Sequence, residues 1–291
     1  MYFKLNNLSL HSKQHNMTKA PAVFIKTDSN GNIIPLSLDQ ARLQAPAAFA
    51  TTQGPNIRSK AYNFTSSEEI IGHMDNLGFS LVSARQSRNK VALHKEFGTH
   101  TLGFMKDGLY VSDSKGGIEA RPTITLINNH CGIYPVQFTS GLFRQVCSNG
   151  LCVSDKEFGG FRERHTKYTA QQIADLVDER VDGMGQIVKN INVWSGREMS
   201  AAERFAFATE ALALRLTSDR KPEQYEIAGI LEANRIEDKG NDLWRTFNTV
   251  QENIVRGGFE LGNRKAKAIV NPMADISINQ KLWALAEQYA N

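Results

Sequence analysis

The spacing of apolar residues changes twice along this chain. Over 1–60, short apolar pieces at 22–26 and 33–38 stand among Asn, Gln, Ser, Thr, Ala and Pro, which predicts an extended arm with one hairpin around Ser29-Asn30-Gly31. Thr65-Ser66-Ser67-Glu68 then reads as a capping box, with Ile70, Ile71, Met74 and Leu77 on one helical face and Gly78 closing it. From 79 to 136 the period falls to two. Segments 79–85, 91–94, 99–105, 109–112, 123–128 and 133–138 read as short strands joined by tight turns, which predicts an antiparallel meander.

Segment 139–153 has two readings. Ser140 as cap, a Leu142/Phe143/Val146 face and Gly150 as closing glycine make a short helix, whereas Asn149-Gly150 between Cys147 and Cys152 makes a hairpin with the two thiols opposed. The helix is favoured, because Arg144-Gln145 sits poorly in a buried strand. Beyond Tyr168 the period is 3.6. Apolar residues from Ile173 to Ile191 predict one long amphipathic helix over 169–191. Ser200-Ala201-Ala202-Glu203 opens a second helix, Pro222 a short third, Asp242 caps a fourth through Phe247, Val250 and Ile254, and 279–290 ends the chain. The expected fold class is α+β: a β-meander in the first half packed against a long helix, then a helical second half. The expected division is 1–60 as a basic polar arm, 61–168 as the β-rich part and 169–291 as the helical part, the last two forming one globular unit.

Charge sharpens this division. The 291 residues carry a formal +4. Residues 1–60 hold seven basic and two acidic side chains, so they contribute +5 and the remainder sums to −1. No apolar run is long enough to span a membrane, and the first residues lack the apolar core of a secretory signal. Three cysteines, an odd number, argue against a secreted disulfide framework, so a cytoplasmic protein with reduced thiols is expected.

Candidate chemistry is narrow. No Walker-type loop and no Gly-x-Gly-x-x-Gly after a strand is present, which gives no reason to expect a nucleotide cofactor. His130 and Cys131 are adjacent and would point to opposite faces of a strand, and Cys147 and Cys152 have no paired motif, so no metal site and no catalytic constellation is expected. Three clusters mix basic side chains with glycine or aromatic rings. They are Arg85 to Lys90, with Arg88 between; Phe161, Arg162, Arg164 and His165; and Arg256-Gly257-Gly258-Phe259 followed by Arg264-Lys265-Ala266-Lys267. Guanidinium and ammonium groups hold phosphates while aromatic faces stack bases, so this composition suits single-stranded nucleic acid.

These motifs resemble a family of uncharacterised proteins carried by prophages and plasmids. The resemblance runs from about 62 to the C-terminus through Ala84-Arg85-Gln86-Ser87-Arg88, Leu126 to Gly132, Gly141 to Leu151, Arg162 to His165, Trp244 to Asn248, Gln251-Glu252-Asn253, Arg256-Gly257-Gly258 and Lys281 to Ala286. Relatives typically read Asn-Ser-His-Asp-Gly where this chain has Asn128-Asn129-His130-Cys131-Gly132, which removes a carboxylate beside His130. The resemblance implies a mobile-element setting and no activity. The coarse layout is also similar to phage annealing recombinases, an analogy of fold and setting. The expected function is therefore DNA binding, to single or double strands, with ATP-independent strand annealing by a homo-oligomer as its extension. Arg85, Arg88, Lys90, Arg162, Arg164, Arg256, Arg264 and Lys265 would contact phosphate, and Phe161 or Phe259 would stack bases. The alternative is a non-catalytic anti-defence protein that uses the same surfaces against a host protein.

Overall fold

A computed structural model describes residues 26–28, 32–57, 59–87, 91–112, 118–144, 149–152, 161–163, 165, 169–178, 184–217 and 219–290. The hairpin turn expected at Ser29-Asn30-Gly31 lies outside these residues, but its flanks pair: β1 (Lys26–Thr27) runs antiparallel to β2 (Ile33–Ile34). Among the described residues of the expected arm, 38–49 are not extended. Ser37 caps α1 (Leu38–Gln44) by accepting from the Gln40 amide, and a 3-10 turn follows at Pro46–Phe49. Ala41, Ala45, Ala48 and Phe49 are small or flat enough to sit directly on the sheet, in one core with Ile70, Met74, Leu102 and Phe104. A run of alanines carries too little apolar moment to be read as a core face, which is why the packing was not visible in the pattern.

The next helix, α2 (Ser67–Asn76), begins one residue later than expected, with the Ser66 hydroxyl accepting from the Glu69 amide. It leads into an antiparallel sheet with order β3 (Phe79–Gln86), β4 (His100–Lys106), β6 (Ile118–Asn128), β7 (Val136–Arg144), β8 (Asn149–Cys152); β5 (Val111–Ser112) pairs with β6, and β9 (Phe161–Glu163) pairs with β7. Strand β4 is buried on both faces, as a central strand must be. Two local expectations fail. Residues 92–97 form helix α3 (Ala92–Phe97) instead of a strand, because four residues of alternating pattern are too few to separate the two periods. Within segment 139–153 the described residues 139–144 and 149–152 are strand and not helix: Gly141 to Phe143 pair with Thr123 to Arg121 on one side, and Gly141 to Arg144 pair with Cys152 to Asn149 on the other. Arg144 stands at the end of β7, so the objection to a charged residue in a buried strand does not apply.

The helical half comprises α4 (Ala170–Asp178), α5 (Met184–Gly196), α6 (Ala201–Ala213), α7 (Gln224–Ile230), α8 (Leu243–Arg256) and α9 (Pro272–Tyr289), with a two-strand hairpin, β10 (Glu260–Leu261) and β11 (Arg264–Lys265), between the last two. The single long helix expected over 169–191 is not evident, since the region is described as α4 and α5. The longest described helix is α9, whose Asn271 cap accepts from the Met273 and Ala274 amides ahead of Pro272 at the first turn. Helix α8 is buried nearly all round, and several of its polar side chains are satisfied inside, although the buried Thr246 hydroxyl has no partner among the described residues. Gln251 donates to Asn279 (2.7 Å), Asn253 donates to the Ile230 and Glu232 carbonyls, and Glu252 takes a bidentate pair from Arg235. Trp194 of α5, Trp244 and Phe247 of α8, and Trp283 of α9 form the aromatic centre of this half, with Trp194 and Trp283 ring centroids 4.3 Å apart. Helix α9 also ties the halves together. Its Asp275 accepts from Arg85 of β3, Ile276 packs on Ile127, and Gln280 donates to Thr139. No helix among the described residues is long and apolar enough to cross a membrane.

Candidate functional site

Two places concentrate functional side chains: a buried histidine cluster at one end of the sheet and an exposed basic hairpin in the helical half. In the first, the start of α2 delivers Ser67, the start of β4 delivers His100, and the end of β6 delivers Asn128, Asn129 and His130. The His100 Nδ1 faces the Gly98 carbonyl at 3.0 Å, so Nδ1 carries the proton and Nε2 accepts from the Ser67 hydroxyl at 2.8 Å. Asn128 donates to the Ser67 oxygen at 2.9 Å and to the Thr65 carbonyl at 3.2 Å. His130 lies between Phe64 and His100, with centroids at 4.8 and 5.1 Å, and His165 stacks on Tyr62 at 4.8 Å.

Main-chain bonds tie Gly54 and Asn63 to the cluster: the Gly54 amide donates to the His130 carbonyl and the Asn63 amide to the His165 carbonyl, both at 2.6 Å. All four ring nitrogens of His130 and His165 are buried without a hydrogen-bond partner. The Tyr134 carbonyl lies on the His165 side and favours its protonated form slightly, but it does not reach hydrogen-bond geometry with the ring. Burial is the main cause that pushes His100 down to about 4, His130 to about 3 and His165 to about 4, and for His130 the neighbouring imidazoles add to it. The cluster is thus neutral near pH 7.

The Cys131 thiol is pushed up by burial and stands 3.7 Å from His94 Nδ1, so it is a protonated thiol and no activated nucleophile. Among the described residues, no three His, Cys, Asp or Glu side chains are placed to hold a metal ion.

The second place is built by helix ends. Helix α8 stops at Gly257, where φ is +70° and an added Cβ would meet the Ala266 carbonyl oxygen at 2.4 Å, so only glycine lets the hairpin fold back on the helix. The Gly258 amide donates to the Ala266 carbonyl, and the Ala266 amide donates to the Phe259 carbonyl. Arg215 clamps the base by donating to the carbonyls of Ile254 and Lys267. At the tip, one oxygen of the buried Glu226 of α7 accepts from Arg220, from the Gly262 amide at 2.7 Å and from the Tyr225 hydroxyl at 3.4 Å. The hairpin then presents Arg264 and Lys265 to solvent, with Lys267 beyond them. Glu260 is in register with Lys265, yet none of these three cations forms an ion pair among the described residues.

The other residues singled out from sequence are scattered. Arg85 is 21% exposed and bound to Asp275 at 2.7 Å. Arg256 lies 3.5 Å from Glu252. Phe259 is only 7% exposed, with the Arg215 guanidinium over its ring at 5.8 Å, so it presents no free face for a base. Phe161 and Arg162 pair through the backbone with Phe138 and Gln137 in the sheet, and their side chains lie outside what is described. Arg88, Lys90 and Arg164 lie outside the described residues. Arg264 and Lys265 therefore stand in the open with Lys267 of the same cluster, and Arg220 and Tyr225, which the motif reading did not include, reach the hairpin tip through Glu226. The Arg220-Lys221 pair before Pro222 was the available signal.

These features describe an α+β protein, and the chain belongs to the family described as Domain of unknown function (DUF932), matched over residues 56–283. It is similar to two proteins of Escherichia coli (strain K12), UPF0380 protein YafZ and UPF0380 protein YfjQ. The first is 27% identical and the second 26% identical over 258 residues, in each case covering 87% of this chain and 91% of the relative. No solved structure matches.

Proposed function

We propose that this protein binds nucleic acid through the β10–β11 hairpin, with single-stranded DNA as the first candidate. The observation that supports the reading is the placement of Arg264, Lys265 and Lys267: exposed, near one another, and without a carboxylate partner among the described residues. Unneutralised cations on a rigid hairpin hold phosphates at little ordering cost, because Gly257 and the Arg215 clamp have already fixed the backbone. The balanced charge of residues 61–291 does not oppose this, since screening over about 10 Å makes the local charge the relevant one. Prophage or plasmid DNA, self-assembly and ATP-independent strand annealing belong to the same reading as its biological extension.

The test is a titration of labelled single-stranded and duplex DNA at two salt concentrations, with the Arg264→Ala/Lys265→Ala protein alongside. Three phosphate contacts would give log K a slope near −2 against log salt on a single strand, from about −0.7 per contact. The double variant should bind more weakly with a shallower slope. Absence of binding at low salt refutes the proposal, and pull-down of a host protein lost in the same variant would favour a protein partner instead.

A further inference from the structure

We infer that Tyr225 is a base-stacking platform beside the phosphate-binding hairpin, which makes the site a reader of single strands in preference to duplex. The inference rests on the nucleic-acid reading above and deepens it. Tyr225 stands in the first turn of α7 and is 52% exposed, although it is aromatic and borders a well-packed helix. Its hydroxyl lies 3.4 Å from one oxygen of Glu226. Glu226 is fully buried, and the carboxylate oxygen that takes the Tyr225 hydroxyl also takes the Gly262 amide at the hairpin tip and the Arg220 guanidinium. The ring is therefore tied by its hydroxyl to the same point that positions the tip two residues before Arg264.

The chemistry follows from this arrangement. The Glu226 charge is compensated by Arg220 and by the Gly262 and Glu223 amides, so the buried carboxylate does not repel a phosphate as a bare acid would. Lys221, four residues before Tyr225, is exposed, and so are Arg264, Lys265 and Lys267 of the hairpin whose tip Glu226 holds. A strand that laid phosphates along these cations would bring a base towards the open part of the Tyr225 ring. Duplex bases are stacked on one another and offer no face, so the aromatic contributes only to a single strand. Phe259, buried under Arg215, does not serve this role, and Tyr225 replaces it.

The test compares the intact protein with Tyr225→Ala, Tyr225→Phe and Arg264→Ala/Lys265→Ala by fluorescence anisotropy. The probes are an oligothymidylate of about 20 nucleotides, an abasic strand of equal length and a duplex. Tyr225→Ala should weaken oligothymidylate binding about 5- to 150-fold, the range for loss of one stacked base, and should leave the abasic strand and the duplex unchanged. Tyr225→Phe keeps the ring and should retain most of the affinity. If Tyr225→Ala binds all three probes like the parent while Arg264→Ala/Lys265→Ala loses them, stacking is refuted and phosphate binding stands. If Tyr225→Ala weakens the abasic strand equally, the residue acts on the backbone and the inference fails. If the parent binds no probe at low salt, the underlying reading fails with it. Thermal unfolding of each variant checks that an exposed ring has been removed without loss of fold.

Discussion

The histidine cluster makes the folded protein sensitive to mild acid, by an amount that can be worked out. An unfolded histidine titrates near 6.5, whereas folded His100, His130 and His165 are held at about 4, 3 and 4. Between those limits the unfolded chain takes up protons that the folded chain refuses, so stability rises with pH in this window. The stability associated with keeping the three rings neutral is fully present above about pH 6.5 and is lost as pH falls towards 4. Lowering pH to about 5 moves 1.5 units below the unfolded value, worth roughly 2 kcal/mol per ring at about 1.36 kcal/mol per unit.

Three rings give a loss of about 6 kcal/mol, comparable to the whole stability of many domains. Contact between the rings does not reduce this figure before the first of them protonates, since repulsion only depresses the folded values further. Urea unfolding near pH 8, 6 and 5, with chelator present, measures it. The informative variant is His130→Leu. The His130 ring nitrogens have no hydrogen-bond partner, so an apolar replacement should cost little near pH 8 and should reduce the loss at pH 5 by about 2 kcal/mol. A variant with the same pH dependence as the parent would refute the claim that His130 is buried and neutral.

Three further outcomes are expected. Trp283→Ala should destabilise by roughly 3–5 kcal/mol in chemical denaturation, because it empties the centre shared by Trp194 and Phe247. Gly257→Ala should destabilise through both positive φ and the contact with the Ala266 carbonyl, and hydrogen exchange should show the hairpin amides of Gly258 and Ala266 losing protection before those of α8. Asn271→Ala should cost about 1 kcal/mol by removing the cap of α9, read as a lower melting temperature with unchanged circular dichroism at low temperature.

The elements that sequence revealed are those whose cause is local. Ser200 with Glu203 closes a full capping box, Asp242 accepts from the Arg245 amide, and the alternating run from Phe79 becomes β3, because each depends on side chains within a turn or a strand of one another. The errors share a physical origin. At 139–144 the residues allowed both a helical face and a strand and the helix was favoured, but pairing with β6 and β8 decided for the strand. The alanine-rich α1 and 3-10 turn have little moment of their own and gain their place from the sheet they cover.

The site shows the same division more sharply. The sequence by itself determined that Arg264 and Lys265 fall in a basic, glycine-containing cluster, since its charges and glycines lie within a few residues, whereas the pairing that makes it a hairpin came from the structure. Only the tertiary structure decided that Arg85 is consumed by Asp275, 190 residues away, and that Phe259 is covered by Arg215. Only it brought Tyr225 and Arg220 to the hairpin through Glu226, 36 residues before Gly262. Charge and aromaticity are properties of a residue, but availability is a property of its neighbours, and those are chosen by the packing of α7, α8 and α9 around one core.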